Sequence, residues 1–391
     1  MLATTSSREE ALHWLALRLV PGLGSRKAGQ LIERFRTPQA VFRASPSELE
    51  AAGLNPGVAR SVASGCAFEE AAGQHEKALE TGTELIALTD PRYPPRLREI
   101  FDPPVVLFAR GRIELLASLM LGVVGTRRPT PYGLAVAERL ASDLARAGLT
   151  IVSGMARGID TASHKGALAA GGDTVAVLGC GVDVVYPSEN RKLAVELAEK
   201  GLLLSEFPMG APAYPQNFPI RNRIISGMST GVVVVEGAEY SGSAITAKLA
   251  LDQGREVFAV PGNITSKTSW GPNLLIRQGA RLVQDWNDVT SELQPEDRRR
   301  LVEITRRRMG VEPVADDGTQ TGQQPSLPFA PSAALGRRLL EYLKVDAAAH
   351  IDSLVEHFED SPPSELIAGL FELEMQGLIR QLPGRNFVKV W

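Results

Sequence analysis

Four short segments of the chain hold the residue types from which an anion site is built. They are Gly125-Thr126-Arg127-Arg128, Ser153-Gly154-Met155-Ala156-Arg157-Gly158-Ile159-Asp160, Phe218-Pro219-Ile220-Arg221-Asn222-Arg223 and Ser241-Gly242-Ser243-Ala244-Ile245-Thr246. Glycines let the backbone approach an anion, helix N-termini present unpaired N–H groups, and Ser and Thr hydroxyls add donors. Arg127, Arg157, Arg221 and Arg223 make this edge basic in a chain whose net charge is −3. The candidate binding residues are therefore Gly125, Thr126, Arg127, Ser153, Gly154, Arg157, Phe218, Arg221, Asn222, Arg223, Ser241 and Ser243. Taken alone, Ser153-Gly154 reads as a tight strand-to-helix turn; the convergence of four segments is what favours phosphate. Phe218 beside arginines can stack an unpaired base or anchor a loop next to Pro219, and we read it as the anchor.

Other chemistries fit less well. A dinucleotide site needs Gly-x-Gly-x-x-Gly after the first strand, whereas Gly122-Val123-Val124-Gly125 starts inside the strand and Gly179-Cys180-Gly181 lacks the third glycine. Nucleotide phosphoribohydrolases on related folds carry a Pro-Gly-Gly-x-Gly-Thr-x-x-Glu loop after a late strand. The segment from Glu236 to Ala247 takes that place without the terminal Glu. Asp160 and Glu206 remain as acids, unaccompanied by a paired carboxylate or a Ser-His-Asp or Cys-His set. A hydrolase is the alternative these leave. His164 sits on an expected helix and reads as capping or packing. Cys66 and Cys180 have no metal-ligand or disulfide spacing, so no catalytic residue, metal or cofactor is expected.

The elements that would position these segments are short β-branched runs alternating with helical stretches between about residues 85 and 290. The expected strands are Glu84–Leu88, Val105–Phe108, Leu119–Gly125, Thr150–Gly154, Thr174–Gly179, Leu202–Glu206, Gly231–Glu236 and Glu256–Pro261. Tyr132–Ala147, Thr161–Ala170, Asn190–Lys200 and Ser243–Gln253 supply crossover helices. The fold class is α/β, an extended Rossmann-like, doubly wound sheet over 81–295. Before it, residues 1–80 read as a helical domain of helix-hairpin-helix or SAM-like type. Its first helix starts at Ser6-Ser7 and ends at Pro21, Ser25 caps the second, and Gly53–Val58 echoes the hairpin. Such a hairpin can offer N–H groups to a phosphate or serve only for packing. Residues 296–332 form a basic segment and a Pro/Gly-rich linker, with the runs Arg298–Arg300 and Arg306–Arg308 read as solvated faces. Residues 333–391 read as a winged helix whose third helix, with Glu365, Glu372 and Glu374 and no Lys or Arg, is a poor groove reader.

At these residues the chain resembles the DNA-processing protein A (DprA/Smf) family. Val123-Val124-Gly125-Thr126-Arg127, Ser153 to Asp160, Tyr186-Pro187, Leu204-Ser205-Glu206, Phe218 to Arg223, Ser241-Gly242-Ser243 and Val260-Pro261-Gly262-Asn263 fall in that family's order over about residues 85–285. The resemblance implies a non-enzymatic protein that binds single-stranded DNA in the basic pocket and delivers it to the RecA recombinase during natural transformation and recombination. Arg127 and Arg157 would contact phosphates, and Arg221, Asn222 and Arg223 would line the pocket or order its wall. The resemblance also implies a homodimer, which the apolar Leu274, Leu275 and Ile276 would serve. No apolar run approaches the roughly 20 residues that span a bilayer, so a cytoplasmic location without membrane contact is expected.

Overall fold

A computed structural model describes residues 8–308 apart from Tyr240, and residues 332–390 apart from 345–346, 359, 376–377 and 383. Most of the expected linker, and Ser6-Ser7 of the first helix start, lie outside the described residues. The contacts divide the chain into one unit ending at Gln284 and a second beginning at Asp285.

The first unit opens with six helices, α1 (Arg8–Leu19), α2 (Ser25–Phe35), α3 (Pro38–Arg43), α4 (Pro46–Ala51), α5 (Pro56–Ala63) and α6 (Phe68–Glu80). The turn between α1 and α2 places Gly22 at φ 78°, a conformation glycine adopts without cost. Gly24, not Ser25, holds the N-cap position of α2, and no side chain caps that helix. Ser45 does cap α4, in a reciprocal box with Glu48. The echo at Gly53 is a second hairpin, α4 to α5, and Lys27 Nζ donates to the Gly53 carbonyl, pinning the two together.

Trp14, Leu15, Ala16 and Leu17 are all buried. Four consecutive buried positions exceed the single apolar face of an ordinary surface helix. The reason is that α1 packs on α3 and α6 and also on the first two strands, β1 (Glu84–Ala87) and β2 (Val106–Gly111). The helical segment therefore shares one core with a sheet face that includes Phe108, Ala176, Leu178 and Leu203.

After α7 (Pro95–Arg98) come β3 (Met120–Val124), α8 (Pro131–Arg146), β4 (Thr150–Ser153), α9 (Ile159–Ala169), β5 (Thr174–Val177), α10 (Arg191–Lys200) and β6 (Leu202–Ser205). Then follow α11 (Asn217–Met228), β7 (Gly231–Val234), α12 (Gly242–Asp252), β8 (Glu256–Ala259), α13 (Trp270–Arg277) and β9 (Arg281–Leu282). The sheet order is β1-β2-β6-β5-β4-β3-β7-β8-β9, with β3 to β9 parallel and the β1-β2 pair added antiparallel beside β6. β3, β4, β5, β6 and β7 are buried at every position, as expected of parallel strands covered on both faces. All eight expected strands form, each within about one or two residues of its expected ends except β2, which runs on to Gly111. β9 was not anticipated, because two exposed residues carry no strand pattern.

The second unit begins with α14 (Trp286–Thr290), capped by Asp285, and α15 (Pro295–Arg308). The division thus falls before the expected boundary at 295: Trp286 stacks on Phe371 with ring centroids 6.1 Å apart, a contact made with the winged helix. That module comprises α16 (Ser332–Tyr342), β10 (Ala349–His350), α17 (Ile351–His357), α18 (Pro363–Met375), β11 (Ile379–Leu382) and β12 (Asn386–Lys389), around Leu339, Leu354, Leu366, Leu370 and Phe387. One acid of α18 has a structural task. Glu374 is buried and accepts a hydrogen bond from Gln381 N at 2.8 Å, and burial pushes its carboxyl up from the ordinary range. No helix among the described residues is long and apolar enough to cross a membrane.

Candidate functional site

The chain winds outward from β3 through β4 and β5 to β6, then returns to lay β7 against the other side of β3. At such a switch point the loops leaving the carboxyl ends diverge and open a crevice. A cavity of about 570 Å³ lies there.

Glycines bring its loops together. A Cβ on Gly125 would meet Ile159 Cγ1 at 2.5 Å and the Glu236 carbonyl at 2.9 Å, so only glycine lets the β3 loop pass between α9 and the end of β7. Thr126 N then donates to Glu236 O at 2.7 Å, and Ile159 N donates to Thr126 O at 3.2 Å. Gly158, at φ 79°, would drive a Cβ into the Thr126 carbonyl at 2.4 Å. The Glu236 carboxylate accepts from Thr130 N at 2.9 Å and Thr130 Oγ1 at 2.6 Å, at the start of α8. A carboxylate is favoured at that position by the helix dipole.

The segment from Phe218 to Arg223 lies inside α11 rather than ahead of a helix. Pro219 is tolerated because it falls in the first turn, where N–H groups lack intrahelical partners. Arg221 is buried, and Nη1 donates to Gly154 O at 2.8 Å and also to Val177 O. Its guanidinium occupies the space where a Gly154 side chain would project. Burial pushes Arg221 down to about 10, with the nearby Asp160 opposing. Asp160 is itself buried and accepts from Gly154 N at 3.1 Å and Ala156 N at 3.4 Å; burial raises its carboxyl and Arg221 opposes. Asn222 Nδ2 donates to Gly242 O at 3.3 Å, joining α11 to the start of α12. There Ser241 Oγ caps the helix by accepting from Ala244 N, and it lies 2.8 Å from Ser243 Oγ.

The cavity wall includes Gly125, Thr126, Arg127, Phe218, Arg221, Asn222, Ser241 and Ser243. The other four sequence candidates stand off it. Ser153 Oγ is buried and donates to Val123 O at 2.6 Å. Gly154 lies beneath the wall, against Arg221. Arg157 is exposed and ion-paired with Glu189. Arg223 departs furthest from a pocket-lining role: it is buried and paired with Glu206 at 2.6 Å and Asp102 at 2.9 Å. Residues one position apart on a helix point about 100° apart, so the two arginines of α11, two positions apart, point to different faces. By contrast Arg127 and Arg128 are exposed, and neither makes an ion pair among the described residues. The Arg127 guanidinium sits 5.0 Å from the Phe218 ring centroid.

Arg128, Ala213, Pro215, Gly242 and Thr246 also line the cavity. Arg128, Gly242 and Thr246 belong to the four anion-site segments, whereas Ala213 and Pro215 carry no chemical signal in sequence. His164 is fully buried with Nδ1 2.7 Å from Thr174 Oγ1, and burial pushes it down to about 3, which matches its packing role. Leu274, Leu275 and Ile276 lie half-buried on α13, and Leu275 packs against the core beneath.

Comparison with known proteins gives two family matches, DNA recombination-mediator protein A over residues 84–294 and the DprA winged helix domain over residues 323–385. The chain is 47% identical over 215 residues to the DNA processing protein DprA of Bacillus subtilis, covering 55% of this chain and 72% of that protein. It is 31% identical over 418 aligned positions to Protein Smf of Synechocystis, covering 97% of this chain and 99% of that protein. Among solved structures, DNA processing protein A from Streptococcus pneumoniae superposes with a TM-score of 0.65 at 34% identity, covering 72% of this chain and 98% of that one.

Proposed function

The chain belongs to the DNA recombination-mediator protein A (DprA/Smf) family, and from that premise we propose that it binds single-stranded DNA in the cavity between β3 and β7. It acts in the cytoplasm as a homodimer that hands the strand to the RecA recombinase during natural transformation and recombination. The observation that carries this reading is the pairing of exposed Arg127 and Arg128 with the hydroxyls of Thr126, Ser241 and Ser243 around one cavity at the strands' carboxyl ends. Cations, hydroxyls and helix N-termini together suit a phosphate backbone.

The reading is of a binder rather than an enzyme. Asp160 is engaged by the backbone of its own loop and Glu206 by Arg223, which supports leaving both acids out of any reaction. Fluorescence anisotropy with matched single- and double-stranded oligonucleotides, run beside a nucleotide-turnover assay, tests this. Tighter binding of the single strand without turnover is expected. Steady release of free base from a nucleotide would instead establish the hydrolase. For the dimer, Leu274→Glu and Ile276→Glu should each lower the sedimenting mass of a still-folded protein, and an unchanged mass in both would remove α13 from the interface.

A further inference from the structure

The cavity combines its cationic rim with an aromatic wall, and the two rings of that wall differ in what already covers them. Phe218 is enclosed. The Arg127 guanidinium sits 5.0 Å from its centroid, Arg221 sits 5.9 Å away, and Gly179 approaches so closely that an added Cβ would lie 2.9 Å from Phe218 Cδ1. Tyr186 lines the same cavity and leans on Phe218 with centroids 5.4 Å apart, yet it is 39% exposed.

The backbone that presents Tyr186 is tied down on both sides. Val184 N donates to Gly181 O at 2.9 Å, and Asn190 N donates to Pro187 O at 3.0 Å. Asn190 Nδ2 then donates to Met155 O and Thr161 Oγ1, both at 2.8 Å, fastening the segment to the loop after β4 and the first turn of α9. A large aromatic held exposed on a fastened loop, on the same cavity as two arginines that make no ion pair among the described residues, suits a ligand that carries both a phosphate and a flat ring with a free face. Unpaired nucleotides have both, whereas a duplex hides the ring faces in its own stack.

We propose that Tyr186 is the base-stacking platform of the cavity, and that it discriminates unpaired from paired DNA by gripping a base while Arg127 and Arg128 hold the adjoining phosphates. This rests on the reading of the cavity as a single-strand site. Stacking adds affinity without neutralising charge, so it leaves the salt dependence untouched.

The test uses the full chain, a labelled homothymidine strand, and an abasic strand of equal length and charge. Tyr186→Ser should weaken binding of the homothymidine strand by roughly 5- to 150-fold, keep its salt slope, and leave binding of the abasic strand within about twofold of wild type. Tyr186→Phe should retain wild-type affinity for both. Tyr186→Trp, which keeps the ring, should gain an emission component that homothymidine quenches and the abasic strand does not. Equal weakening on both strands, or no weakening on homothymidine, would overturn the platform while leaving the single-strand site standing. Wild-type protein that binds neither strand would overturn the site and the platform together.

Discussion

The loop after β3 and the first turns of α11 each bring two arginines to the same end of the sheet, and the two pairs end in opposite environments. Arg127 and Arg128 stand in solvent at the cavity rim without an ion pair among the described residues. Arg221 and Arg223 are buried, the first spending its donors on the Gly154 and Val177 carbonyls and the second on Glu206 and Asp102. The difference is one of support. A loop held by glycine contacts can leave its side chains unpartnered, whereas a helix packed on the sheet must find partners for every charge it buries. Counting arginines near a crevice therefore overstates the number of phosphates it can neutralise.

The largest expected effect lies with the buried pair. Arg223→Ala takes from the Glu206 carboxylate, whose side chain is 2% exposed, its hydrogen-bonding cation and leaves Arg18 as the remaining cation nearby, so it should lower the unfolding free energy by up to about 3–5 kcal/mol. Urea unfolding reads this as a lower midpoint. An unchanged midpoint accompanied by a flatter salt slope for DNA would reverse the roles assigned to the two pairs.

A second effect comes from His164, which is held near 3 by burial and, secondarily, by the charge of Arg221. The unfolded chain takes up a proton near pH 6.5 and the folded chain does not, so stability present at neutral pH falls as pH drops below 6.5. Between pH 6.5 and about pH 5 the loss attributable to this group should approach roughly 2 kcal/mol. His164→Gln should flatten that part of the pH–stability curve, and a parallel curve would show that His164 does not govern it.

The exposed pair should act on DNA and hardly on stability. Arg127→Ala should weaken single-strand binding and reduce the slope of log affinity against log salt by up to about 0.7, the contribution of one phosphate. An undiminished slope in Arg127→Ala and Arg128→Ala alike would remove the rim from the binding site. Arg157 should show the smallest change, because it stands off the cavity wall and already shares its charge with Glu189. Salt titrations of Arg127→Ala and Arg157→Ala side by side therefore sharpen the comparison, and a larger slope change in Arg157→Ala would contradict this order.

Much of the frame was legible in the chain. Short apolar, largely β-branched runs located the strands, since an alternation of such runs with helical stretches admits few arrangements other than a covered parallel sheet. β9 escaped notice because its two residues, Arg281 and Leu282, are exposed and too few to show a period. The start of α2 was misplaced by one residue because Ser25 has the type of a cap, while Gly24 has its geometry. Ala213 and Pro215, small and uncharged, reach the cavity only through the path of the chain between β6 and α11.

The sequence by itself determined the α/β class, the positions of eight strands, and which four segments meet at one end of the sheet, because local periodicity and turn chemistry act over a few residues and leave their mark there. Tertiary structure alone decided which arginines remain available. Arg221 and Arg223 have the same side chain as Arg127 and Arg128, and what separates them is desolvation, set by carbonyls and carboxylates from β4, β5 and β6 or just beyond them, which no short segment contains.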